Sequence, residues 1–142
     1  MCYMLYVSTS SRIDLSRYNS EYLRFGPPER GACPQPTILE NEYKWFVGSM
    51  SECSCTFRRL AGGDLGFDDP QDSLPEDEDE IKATAELYRV IASLVQAGCK
   101  VDTLNIWLDD NPVQPTRIPV SLAEVSKKAF RFFENYHFVF EP

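Results

Sequence analysis

The side chains best suited to chemistry are the two thiols of Cys53-Ser54-Cys55, the lone histidine His137, and the adjacent guanidinium groups of Arg58 and Arg59. Two thiolates can act as nucleophiles, form a redox pair or bind a soft metal ion. Their spacing counts against the redox version. In a regular strand, β-carbons two residues apart lie about 6.5 Å from one another, whereas a disulfide needs roughly 3.8 Å. The alternation of Cys53, Cys55 and Phe57 suits small core side chains better. Any Cys-His nucleophile pair or Cys and His metal site must use His137, which stands in a predicted strand among aromatic residues. Cys53, Cys55 and His137 are therefore the candidate catalytic residues. Cys53 with Cys55 is the one candidate soft-metal pair, and no metal or cofactor is otherwise predicted.

Arg58 and Arg59 precede Ala61-Gly62-Gly63. Arginine can clamp a carboxylate or phosphate, and glycine lets such a ligand approach the backbone closely. With Trp45 and Trp107, these two arginines are the candidate ligand contacts. The phosphate-binding patterns GxGxxG and GxxxxGKS/T are missing from the sequence, as is the zinc-protease pattern HExxH. Asp64, Asp68, Asp69 and Asp72 offer oxygen to a hard cation but lack EF-hand spacing, so a solvated loop is the simpler reading. Asp109 and Asp110 read as a turn rather than as an acid-base pair.

Charge narrows the classes of partner. The 142 residues carry 22 acidic and 14 basic side chains, a formal charge of -8, which disfavours binding to nucleic acid or anionic lipid. Nine of the acidic residues fall between Asp64 and Glu80, where there is no Lys or Arg. Together with the nearby glycines and prolines they define an acidic loop at about 61–80 that runs into a helix. Hydrophobic residues make up 43%, enough for one globular domain spanning 1–142. No stretch has the roughly 18 apolar residues of a membrane span, and the start lacks an export signal. An odd number of cysteines, five, fits reduced thiols, so a cytoplasmic location is expected.

These residues need elements to position them. Residues 2–7, apolar on both faces, predict a central strand, and Leu15, Tyr18 and Tyr22 after Asp14 predict a short helix. Residues 42–48 and 52–59 predict a hairpin pair. The clearest helix runs over about 74–97, starting from a Ser73/Glu76 capping box or later near Glu80, and stopping at Gly98. Its stripe comprises Ile81, Ala85, Tyr88, Ile91 and Val95, broadened by Leu87 and Leu94. A strand follows at 101–108, and residues 109–119 read as a connection. Ser121 and Glu124 have capping-box spacing, with Val120 and Val125 as a staple, which predicts a second helix to about 134 or 135. Residues 136–140 predict a last strand, with Tyr136, Phe138 and Phe140 on one face and His137 and Val139 on the other.

The expected fold is an α+β two-layer sandwich, ferredoxin-like in its first six elements, with an added C-terminal helix and strand. The function expected from these residues is that of a small cytoplasmic ligand- or protein-binding domain whose partner is a small molecule or protein. The alternatives are a thiol-dependent enzyme or soft-metal-binding protein using Cys53 and Cys55, and an oligomeric structural protein. Nothing in the sequence decides whether it is an enzyme.

Overall fold

The computed structural model describes residues 3–28, 38–49, 54–60, 66–67, 76–107 and 114–142. Strand β1 (Tyr3–Thr9) is apolar on both faces, and it is correspondingly interior. Its neighbours are β3 (Tyr43–Gly48) and β5 (Val101–Trp107), both antiparallel to it. With β2 (Arg24–Gly26), β6 (Thr116–Ser121) and β8 (Tyr136–Glu141), they form a six-stranded sheet of order β2-β3-β1-β5-β8-β6. All its pairs are antiparallel except β6 with β8. The short strands β4 (Arg59–Leu60) and β7 (Phe132–Phe133) pair in parallel in a second sheet.

Helix α1 (Glu78–Gln96) starts where Asp77 accepts the Asp79 N–H, with Glu78, Asp79 and Glu80 in its first turn. Those carboxylates complement the positive end of the helix dipole. This is close to the later of the two expected starts, near Glu80; Ser73, the cap of the alternative, lies outside the described residues. The helix stops as expected at Gly98, whose φ of 87° is left-handed, while the Cys99 N–H returns to the Leu94 carbonyl at 3.0 Å. Its buried stripe centres on Leu87, Ile91 and Leu94 and includes Ala83, Val90 and Val95. Ile81, Ala85 and Tyr88 sit at the flank, half-buried. The short helix after Asp14 is a 3-10 turn over Leu15–Tyr18, with Asp14 as its cap.

The sheet is covered on both sides. Leu5, Val7, Val47, Val101, Phe138 and Phe140 belong to the larger core with the α1 stripe, and Phe67 joins the aromatic group of Phe130, Phe133 and Phe138. On the opposite face Tyr6, Phe46, Leu104 and Ile106 pack beneath Leu39, with Ile38 and Met4 at the margin.

Four expectations are corrected. Residues 54–57 do not pair with β3, because β1 and β2 already occupy both of its edges. Ser54 instead accepts the Leu5 N–H at 2.9 Å and donates to the Val47 carbonyl at 2.6 Å. Residues 116–119, expected within a connection, form edge strand β6 together with Val120 and Ser121. The helix expected from Ser121 is two separate single turns. The Glu124 and Val125 N–H groups return to Ser121, and those of Ala129 and Phe130 return to Ser126. Ser121 is held in β6 opposite Glu141, and the Phe132 N–H donates to the Arg58 carbonyl, so the chain between them must cross over and reach β7 extended. Both neighbours of β1 run antiparallel to it, which departs from the ferredoxin-like order, where a split βαβ unit sets parallel strands side by side. Among the described residues no helix is long and apolar enough to cross a membrane.

Candidate metal centre

Alternation along two strands builds the site. In β8, Tyr136, Phe138 and Phe140 face the larger core, which sends His137 to the other side of the sheet. In β5, Leu104 and Ile106 face that same side, and Asp102 goes with them. The register sets Asp102 opposite Val139 and Leu104 opposite His137, so Asp102 and His137 are diagonal neighbours. Across the other edge of β5, Ser8 stands opposite Asp102. Leu39 anchors the covering segment by packing on Leu104 and its neighbours, and this delivers Glu40 and Asn41 to the polar end of the face.

Asp102 is fully buried and His137 only 3% exposed. His137 Nε2 lies 2.6 Å from Asp102 Oδ2, which also accepts the Glu40 N–H at 2.9 Å. The other oxygen, Oδ1, accepts from Asn41 Nδ2 at 3.0 Å and from the Ser8 hydroxyl. Ser8 Oγ in turn accepts the Asn41 N–H at 3.1 Å. Burial pushes the Asp102 carboxyl up, but the hydrogen bonds from His137, Ser8, the Glu40 backbone and Asn41 outweigh it and hold Asp102 below the usual carboxylate range. Glu40 Oε2 is 3.5 Å from His137 Nε2 and accepts Arg117 Nε at 2.7 Å, while Oε1 accepts Arg117 Nη2 at 3.1 Å. This forked pair lowers the Glu40 pKa and raises that of Arg117.

The contact order excludes one familiar activity for these residues. Serine activation needs the imidazole between hydroxyl and carboxylate, so that it can take the hydroxyl proton. Here the carboxylate is in the middle and Ser8 donates to it directly. What the cluster does offer is three ligand atoms of metal-binding type, from Glu40, Asp102 and His137, all within 4.8 Å of one another.

The cluster opens on a groove of about 480 Å³ at the end of the sheet. One wall is the end of α1 and the turn after it, with Val95, Gly98 and Cys99, and the other includes Glu40, Asn41 and Arg117. Lys100 and Glu141 complete its charged lining. The negative end of the α1 dipole therefore borders the groove.

The residues singled out from sequence are distributed differently. His137 is in the cluster, whereas Cys53 lies outside the described residues. Cys55 is half-buried and lines a smaller cavity of about 220 Å³ with Tyr3, Phe57, Arg59 and Glu80. That cavity is at the Tyr3 end of β1 on the α1 side, while the cluster is at the Ser8 end on the other face. Along the strand alone, the two ends are about 16 Å apart, so Cys55 and His137 do not share a site. Arg59 stacks on Tyr3 at 3.8 Å and donates to Asn105 Oδ1 at 2.9 Å, and Trp107 meets Tyr3 edge-on with centroids 4.6 Å apart. Arg58 is buried and bonded to Glu76 at 2.7 Å and to the Lys128 carbonyl at 2.8 Å, which ties the crossover to the approach of α1. Trp45 packs edge-on against Phe25 at the far side of β1. The four candidate ligand contacts thus do not converge on one pocket.

Sequence reasoning passed over Ser8, Glu40, Asn41, Asp102 and Arg117. One signal was available: Asp102 is the single acidic or basic residue in the run VDTLNIW, and His137 the single one in YHFVF.

Fold and site together define a mixed α+β domain, with one α-helix and a multi-stranded sheet among the described residues, that carries an acidic and histidine cluster suited to a metal ion. Compared with protein-family models, with curated proteins and with solved structures, the chain matches none.

Proposed function

We propose that this chain is a ligand-binding domain whose ligand is a divalent transition-metal ion held by Glu40, Asp102 and His137. The observation that carries this reading is the convergence of two carboxylates and an imidazole within 4.8 Å, two of them buried, with Asp102 held by further hydrogen bonds from Ser8, Asn41 and the Glu40 backbone. An imidazole in the set favours zinc and its neighbours over magnesium or calcium, which prefer oxygen alone.

Two of the three spacings stand near those of a metal site, and the third, between Glu40 and Asp102, is within 4.8 Å and would close on binding. In a tetrahedral site with bonds of about 2.0–2.1 Å, ligand atoms stand about 3.3 Å apart. The 3.5 Å between His137 and Glu40 is already close to that. The 2.6 Å between His137 and Asp102 is a hydrogen-bond distance, so a metal there would take the place of that hydrogen bond, with the imidazole carrying its proton on Nδ1. The two atoms then part by about 0.7 Å. Asp102 keeps its bonds from Ser8, Asn41 and the Glu40 backbone, and Glu40 keeps Arg117, the outer contacts that orient ligands in metal sites.

Calorimetric titration tests the reading. Zinc should bind one per chain. Magnesium should give no comparable heat. His137→Ala and Asp102→Asn should abolish zinc binding, while Cys55→Ser leaves it intact. Absence of zinc binding, or unchanged binding in His137→Ala, would sink the proposal.

A further inference from the structure

Three protein ligands leave a zinc-like ion with at least one coordination position to fill. The surroundings of this cluster indicate what fills it. Asp102 is fully buried and His137 nearly so, and both are closed off by Asn41 and the strands around them. Glu40 is the exposed member of the three and lines the groove, so the open side of the cluster is the groove side.

The charge of that groove depends on the metal. Among its side chains, the lining carries the carboxylates of Glu40, Asp102 and Glu141 against the cations of Lys100 and Arg117, and the negative end of α1 borders it. A divalent ion adds two positive charges at the point where the coordination position is open, which makes that point attractive to an anion. Arg117 gives two N–H groups to Glu40. Of its five donors, that leaves three. Lys100 adds an ammonium group to the same lining. The volume of about 480 Å³ fits a small molecule rather than a polymer.

Resting on the metal reading, we propose that the groove binds a small carboxylate-bearing anion in a metal-dependent way: one carboxylate oxygen completes the coordination, and Lys100 and Arg117 receive the remaining negative charge. The metal and the anion form one composite site. No bond in the anion is made or broken.

Cobalt(II) makes the test direct, because its visible absorption reports both the kind of ligand and any change in coordination. The full chain is loaded with cobalt and titrated with malonate, followed by absorption and by calorimetry. Loading itself should give a nitrogen- and oxygen-type spectrum without thiolate charge-transfer bands. Failure to load, or a thiolate spectrum, overturns the metal reading and this inference with it. With cobalt in place, malonate should shift the visible bands, saturate at one per chain, and bind at least tenfold more weakly to metal-free protein. Lys100→Ala should weaken malonate binding about two- to fivefold, as expected for one exposed charge, and leave cobalt binding unchanged. A loaded protein whose spectrum and heat are indifferent to malonate overturns the inference alone. So does malonate that merely strips the metal, seen as loss of cobalt on desalting.

Discussion

Asp102 is the residue on which the site depends, and its behaviour follows from how its two oxygens are used. Four hydrogen bonds converge on a carboxylate with no exposure to solvent, from Ser8, Asn41, the Glu40 backbone and His137. Asp102→Ala strands all of those donors and should cost about 3–5 kcal/mol in urea denaturation, as for a broken buried ion pair. Asp102→Asn keeps the volume and an acceptor and should cost less. Because the folded pKa is depressed, the stabilisation from Asp102 is fully present above the unfolded carboxylate value of about 3.9 and is lost as pH falls through the lower folded value. Unfolding free energies measured from pH 6 down to pH 2.5 should therefore fall less steeply for Asp102→Asn than for the wild type. Parallel curves would show that Asp102 is not held below its ordinary range. The sequence could not give this cluster, because Ser8, Glu40, Asp102 and His137 are joined by register across three strands and a covering loop. His137 was legible as a candidate only because it is the single histidine. Its partner Asp102 looked like an ordinary strand residue until pairing with β1 and β8 placed it inside.

At the scale of elements, local patterns worked where nothing else claimed the backbone. The α1 signal was of that kind: a periodic stripe, an acidic first turn, and a glycine past the end whose positive φ favours a residue without a β-carbon. The last strand and its two faces were legible for the same reason. Ser121 and Glu124 had the spacing of a capping box, yet the chain there runs from one parallel strand to another and must place Phe130, Phe132 and Phe133 beneath α1. Arg58 consumes the Lys128 and Phe130 carbonyls that a continuing helix would have used. Tertiary demand won over local propensity. These two sites separate energetically. Asp77 accepts the Asp79 N–H at 2.8 Å at a true helix start, so Asp77→Ala should lower stability by about 1 kcal/mol. Exposed Glu124 caps no helix, so Glu124→Ala should fall within about 0.5 kcal/mol of wild type. A loss of 1 kcal/mol or more at Glu124 would mean that a helix forms there after all.

At the scale of the whole molecule, the position of the cluster decides what its ligand does to stability. Ser8 comes from β1, Glu40 and Asn41 from the loop over the second face, Asp102 from β5, Arg117 from edge strand β6, and His137 from β8. The last of these strands is 129 residues away from the first of those side chains, counting from Ser8 to His137. No short segment of the unfolded chain can assemble such a set, so a metal bound here binds the native state almost alone. Linkage then fixes the size of the effect. At a free zinc concentration of 100 Kd, the native state gains about 2.7 kcal/mol, which for a chain of this length raises Tm on the order of 10 °C. The increment should grow with the logarithm of zinc concentration and vanish in His137→Ala. The variant is expected to melt lower than wild type without metal, since it leaves Asp102 buried beside a void. The decisive quantity is therefore the zinc-dependent difference within each protein and not the absolute Tm. An equal difference in His137→Ala and wild type would place the stabilising zinc elsewhere, with the thiols as the next ligands to test. A difference confined to wild type and abolished by His137→Ala would mean that one ion spans the sheet from β5 to β8, and that binding and folding at this site are a single equilibrium.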